Sequence, residues 1–123
     1  AEEEEARVAR LQKEAAEFEG AKRVAANAEA AALEAELNSR RALEKSERLQ
    51  RKHTGTGVVP NNAAKREMAV AADEAEQQAG RAARLRAEAD RLKAEAEREA
   101  AEAAAAQEEA HAHEFPATAA LAQ

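Results

Sequence analysis

The chain has 123 residues, a net charge of −6, 36% charged residues, 2% aromatics and no cysteine. Ala makes up about a third of it and Glu and Arg supply much of the rest, a composition of long helices and coiled coils. Two Phe, one Met and few Leu or Val exclude a compact globular core, and the missing cysteines exclude a disulfide scaffold or thiolate metal site.

The chain opens on AEEEEARVAR, which is acidic, lacks an initiator Met and a hydrophobic signal region, and already reads as helix interior. It is therefore expected to be a segment of a longer or processed protein. Residues 1–53 hold no Pro and one Gly, Gly20, and predict the first helix. An arm of about 50 residues spans roughly 75 Å. Read at 100° per residue, Val8, Leu11, Ala15, Phe18, Ala25, Leu33, Leu37 and Leu43 form its apolar stripe. Val24 and Leu49 fall off that stripe, so its seam drifts or a second surface exists, with the two exposed there for contacts. Glu19/Arg23, Glu36/Arg40, Glu44/Arg48 and Glu47/Arg51 stand in the favourable i,i+4 order for ion pairs along one helix.

HTGTGVVPNN, residues 53–62, interrupts the helical pattern, and 54–61 predict a turn. Gly55 or Gly57 can take the left-handed position that ends a helix. Asn61 or Asn62 can cap the next one. The GTG at 55–57 matches neither phosphate-loop fingerprint and follows no strand. Residues 62–114 predict the second helix, again without Pro and with one Gly, Gly80. In it Met68, Ala75, Ala82, Ala89, Ala96, Ala103 and Ala110 recur every seven residues, with Leu85 and Leu92 at the complementary positions. Phe115-Pro116 ends this helix and leaves 115–123 as a tail.

The fold class expected is all-α: two long helices in an antiparallel coiled-coil hairpin, packed with partner helices in a larger assembly. Folding at residue 58 pairs position i with roughly 116 − i, which sets Leu33 and Leu37 against Ala79, Ala82 and Ala83. It sets Leu85 and Leu92 against Ala31, Ala28 and Val24, and Phe18 against Ala96 and Ala100.

No catalytic, cofactor-binding or metal-binding residue is predicted, and the chain reads as non-enzymatic. His111 and His113 point about 200° apart on a helix, and Glu109/His113 alone is one ligand short of a site. The many carboxylates have no apolar pocket to shift their protonation. Charge placement says more. Residues 40–66 carry eight cations against two carboxylates, whereas residues 1–39 carry five against ten and residues 67–123 six against thirteen. A hairpin of these arms has a basic tip. Cations at the end of helix 1 complement its dipole, but Lys65 and Arg66 oppose that of helix 2. Arg48, Arg51, Lys52, Val58, Val59, Lys65 and Arg66 are therefore the expected partner-binding residues. Nucleic acid is disfavoured, since the tip has no aromatic for stacking and the arms repel phosphate. An anionic membrane is the lesser alternative, because the arms lack the apolar face of a surface helix. Another protein fits best, one with helical or acidic surfaces such as the glutamate-rich tails of tubulin.

AEAAAAQEEAHAHE and RAARLRAEADRLKAEAEREAAEAAAA resemble the Ala/Glu/Arg-rich coiled-coil segments of ciliary and flagellar axoneme proteins. The likeness is compositional and covers both arms. Bacterial filament-forming and secretion-associated helical hairpins look similar too; one such class carries Trp-x-Gly in its turn, and this turn has no Trp. The resemblance implies a structural or scaffolding role in a large cytoskeletal assembly, and an intracellular place in the cytoplasm, cilium or flagellar axoneme. A membrane-surface-binding, oligomerising hairpin is the alternative function.

Overall fold

The computed structural model describes residues 2–55, 57 and 59–114. The expected tail at 115–123 lies outside them, as does Val58. Helix α1 covers Glu2–Thr54 and helix α2 covers Asn62–Glu114, 53 residues each. They pack against each other as an all-α hairpin. Ala, Glu, Arg, Lys and Leu have the highest helix propensities, and neither helix contains proline.

The turn uses one of each pair of candidate stop and start residues. Gly55 donates its N–H to the Arg51 carbonyl at 3.0 Å and closes the last turn of α1. A Cβ on Gly55 would lie 2.8 Å from that carbonyl oxygen, so close approach is what requires glycine there. Gly57 takes the left-handed conformation, with φ of 73°. Asn61 caps α2: its Oδ1 accepts from the Ala64 N–H at 2.8 Å while its carbonyl accepts from Lys65 at 2.9 Å.

The described residues form two packed units, Asn27–Asp90 around the turn and residues 2–26 with 91–114. In the first, the residues withdrawn from solvent on α1 include Ala28, Ala32, Ala35, Ser39, Ala42, Ser46, Leu49 and His53, with Glu29 and Glu36 half-buried on one flank. Those on α2 are Ala64, Met68, Ala71, Ala75, Gln78, Ala82, Leu85 and Ala89. Both rows step by alternating fours and threes, the 3.5-residue repeat of a coiled-coil seam. We letter them a (Ala32, Ser39, Ser46, His53; Met68, Ala75, Ala82, Ala89) and d (the others). Run antiparallel, the rows set Ala35 level with Ala82, Ala32 with Leu85 and Leu49 with Met68. Leu49 and Ala71 line one surface hollow, and His53 and Ala64 another, in keeping with this register. In the second unit the same spacing continues through Leu11, Glu14, Phe18, Ala21 and Ala25 on α1. Its mates on α2 are Leu92, Ala96, Glu99, Ala103 and Ala106.

The core is thus alanine. Ala32, Ala35, Ala64, Ala71, Ala82, Ala89 and Ala96 are its buried apolar residues, and nothing larger is fully enclosed. The large apolar stripe expected on α1 is overturned in part. Val8, Leu33, Leu37 and Leu43 are 45%, 54%, 40% and 52% exposed, and Ala15 is exposed too. Leu49, expected outside, is half-buried in the seam, while Val24 is exposed as expected. The cause is the period. A row read at 3.6 residues per turn drifts about 20° per heptad from one wound at 3.5. Following the largest side chains then leads off the contact row. Leu33 and Leu37 consequently do not face the alanines of α2. Two small residues let the helices approach more closely than two leucines can, and Leu85 on α2 needs Ala32 opposite it.

Each buried alanine methyl contributes roughly 0.8 kcal/mol. The seam is therefore sensitive to volume. Ala35→Leu is expected to lower stability by about 1–3 kcal/mol through overpacking, whereas Leu43→Ala should stay within about 0.5 kcal/mol. Thermal melts followed by circular dichroism check both, and equal losses would restore the larger stripe as the seam. At the glycines, Gly57→Ala should cost about 1 kcal/mol for its left-handed backbone. Gly20→Ala, in mid-helix with nothing within 4 Å of its added Cβ, should gain about 1 kcal/mol. The same melts read both signs.

Candidate interaction site at the hairpin tip

The seam ends at the tip in a histidine. His53 lies half-buried at an a position, and its Nε2 stands 3.3 Å from Glu67 Oε2. The carboxylate can only accept, so the contact is a hydrogen bond in those forms of the imidazole that bear a proton on Nε2. Lys52, His53, Val59, Pro60, Asn61, Ala63, Ala64 and Glu67 line an open hollow of about 470 Å³ at this end. Composition does not mark this histidine; its spacing does, since it continues the row through Ser39 and Ser46 by another seven residues.

Around it stand the cations expected from the sequence. Arg48, Arg51, Lys52, Lys65 and Arg66 are all exposed. Arg66 Nε donates to the Asn62 carbonyl at 3.4 Å. The other four make no ion pair among the described residues. Their lettered positions differ: c for Arg48, f for Arg51 and Arg66, g for Lys52 and e for Lys65. They therefore surround the tip rather than share one face. Val59 is 81% exposed among them. Val58, its expected companion, lies outside the described residues.

Helix dipoles sort these charges. Arg51, Lys52 and His53 lie in the last turn of α1, where the partial negative end of the helix welcomes them. The first turn of α2 has no acidic residue, and Lys65 and Arg66 stand at this partial positive end. By the dipole alone Lys65, in the first turn, is disfavoured, and Arg66, one residue further along, less so.

The ion pairs that do form differ from those expected along α1. Glu19/Arg23, Glu36/Arg40, Glu44/Arg48 and Glu47/Arg51 are not joined, whereas pairs along one helix do form on α2, where Glu95 lies 3.6 Å from Arg91 and 3.9 Å from Arg98. Arg86 donates from Nε to Glu36 Oε1 and from Nη1 to Glu29 Oε2, both at 2.6 Å. These three occupy e positions, the row that meets itself in an antiparallel pair. Hydrogen bonds to Glu36 first, then Glu29, raise the pKa of Arg86 above its ordinary value. Lys45 and Glu74 stand 4.0 Å apart on the opposite flank and are more than half exposed, so they add little.

Among the described residues, no group of three His, Cys, Asp or Glu could hold a metal ion. No described helix is long and apolar enough to cross a membrane.

If Lys65 and Arg66 oppose the dipole, reversing them should stabilise the protein. Lys65→Glu with Arg66→Glu is expected to raise the thermal midpoint, each contributing about 0.3–1 kcal/mol at low salt. The gain should shrink at 1 M salt, where the screening length falls to about 3 Å. A lower midpoint at low salt would assign these cations to the fold instead.

No family model matches the chain, and neither a curated protein nor a solved structure matches it significantly.

Proposed function

We propose that this chain is a non-enzymatic scaffolding coiled coil that docks its basic tip on an acidic protein surface within a larger assembly. The observation that carries this reading is the placement of Lys65 and Arg66. They are exposed and stand at the helix end that disfavours cations. Arg48, Arg51 and Lys52 add charge that forms no ion pair among the described residues. Such a surface attracts a partner over about one screening length, roughly 8 Å at physiological salt.

The acidic surface proposed is that of a cytoskeletal polymer, with tubulin and its glutamate-rich tails as the instance, and an axoneme as the assembly. The compositional likeness to axonemal coiled coils supports this choice, as do two helices of equal length that can space components apart. A second reading has the tip bind an anionic membrane. Val59, 81% exposed amid the cations, favours it as a small apolar wedge. Against it stands the lack of an aromatic or leucine-rich face on either helix.

Sedimentation separates the two. The chain is expected to co-sediment with microtubules, to lose most of that binding when the acidic tails are removed by protease, and to lose it again in Lys65→Glu with Arg66→Glu. It should not co-sediment with vesicles containing anionic lipid. Salt-sensitive binding to vesicles without binding to microtubules would replace this reading with the membrane one. Binding to neither would overturn tip docking.

A further inference from the structure

We infer that a second copy of this chain packs antiparallel across the outward face of α1, centred on Leu37. This face lies in the unit Asn27–Asp90, opposite the seam and away from the tip. Ala30, Leu37 and Glu44 occupy its f positions, Leu33 and Arg40 its b positions, and Glu34 and Arg41 its c positions. All seven are exposed. Leu33 and Leu37, 54% and 40% exposed, are larger than any fully buried residue of the hairpin's own core. An apolar pair left in water while alanines are buried marks a surface with a partner still to come.

Charge selects that partner. Glu34, Arg40, Arg41 and Glu44 form no ion pair among the described residues. A two-fold axis through Leu37 sets two α1 helices antiparallel and brings each lettered row against the same row of the other copy. Leu37 then meets Leu37. Leu33 lies along the aliphatic stem of Arg40, and Ala30 leaves room for the stem of Glu44. In the c row Glu34 meets Arg41, and the symmetry makes this pair twice.

Other registers fail on the same residues. Moving the axis half a heptad, to Leu33, sets Glu34 against Glu34. A parallel two-fold pairing sets the c row of one copy against the b row of the other, so Arg41 comes level with Arg40 of the second copy and Glu34 with Leu33, and no opposite charges are joined. Only the arrangement centred on Leu37 joins opposite charges over an apolar middle. The surface is separate from the basic tip, so this inference and the docking reading stand or fall independently.

Equilibrium sedimentation of the whole chain tests it. The wild type is expected at twice the 13.2 kDa of one chain. Glu34→Arg alone and Arg41→Glu alone each set like charges together twice and should weaken association by about tenfold or more. The swap Glu34→Arg with Arg41→Glu should restore it. Unchanged helicity by circular dichroism shows that the exposed substitutions leave the hairpin folded. Leu37→Cys introduces the chain's single thiol, and a short bis-maleimide should join two such chains. A wild type that stays at the mass of one chain overturns the proposal. So does a dimer indifferent to the single substitutions, or a swap as weak as either one.

Discussion

Alanine at the seam positions sets how closely α1 and α2 approach, and that spacing decides what every other side chain can reach. Ala32, Ala35, Ala82 and Ala89 are almost wholly buried although each contributes only a methyl group. A leucine seam would hold the helices near the ordinary 8–10 Å spacing. Here small residues meet small ones, or one leucine such as Leu85 meets an alanine. Close helices bring the flanking e rows together, which is why one arginine, Arg86, bridges two carboxylates of the other helix at 2.6 Å.

The same constraint shapes the energetics. Methyl burial alone stabilises weakly, so helix propensity along 53 residues per arm supplies much of the order. Volume matters more than polarity in such a seam: Ser46 is buried there, and Ser39 and Gln78 are half-buried among alanines. Larger apolar side chains have no room inside and stand on the flanks and outward faces. The tightness of the core thus explains why these side chains are not inside it.

At the tip the controlling physics is electrostatic. One helix ends and the other begins there, so a partial negative and a partial positive helix end lie close together. Cations suit only the first. Residues 61–66, NNAAKR, nevertheless place two cations at the second, beyond what capping by Asn61 requires. A cost in stability without a return in folding is the pattern expected of a surface used for recognition.

Much of this was legible in the sequence. Two proline-free stretches around HTGTGVVPNN specify two helices and a turn, because glycine and asparagine have local preferences that need no tertiary context. The basic tip is legible for the same reason: charge adds up along the chain whatever the packing. The sequence also shows the seven-residue repeat of α2, where alanine marks the row. What it does not show is which row of α1 meets it. Val8, Leu33, Leu37 and Leu43 outweigh their alanine neighbours on any hydrophobic scale, yet they stay outside. Nor does it show that Leu49 and His53 belong to the seam, or that Glu36 reaches Arg86 rather than Arg40. Local sequence determined the helices, the turn and the charge of the tip. Only the packing of one helix on the other decided the buried row, because two helices this close admit whichever side chains fit the gap rather than those that most avoid water.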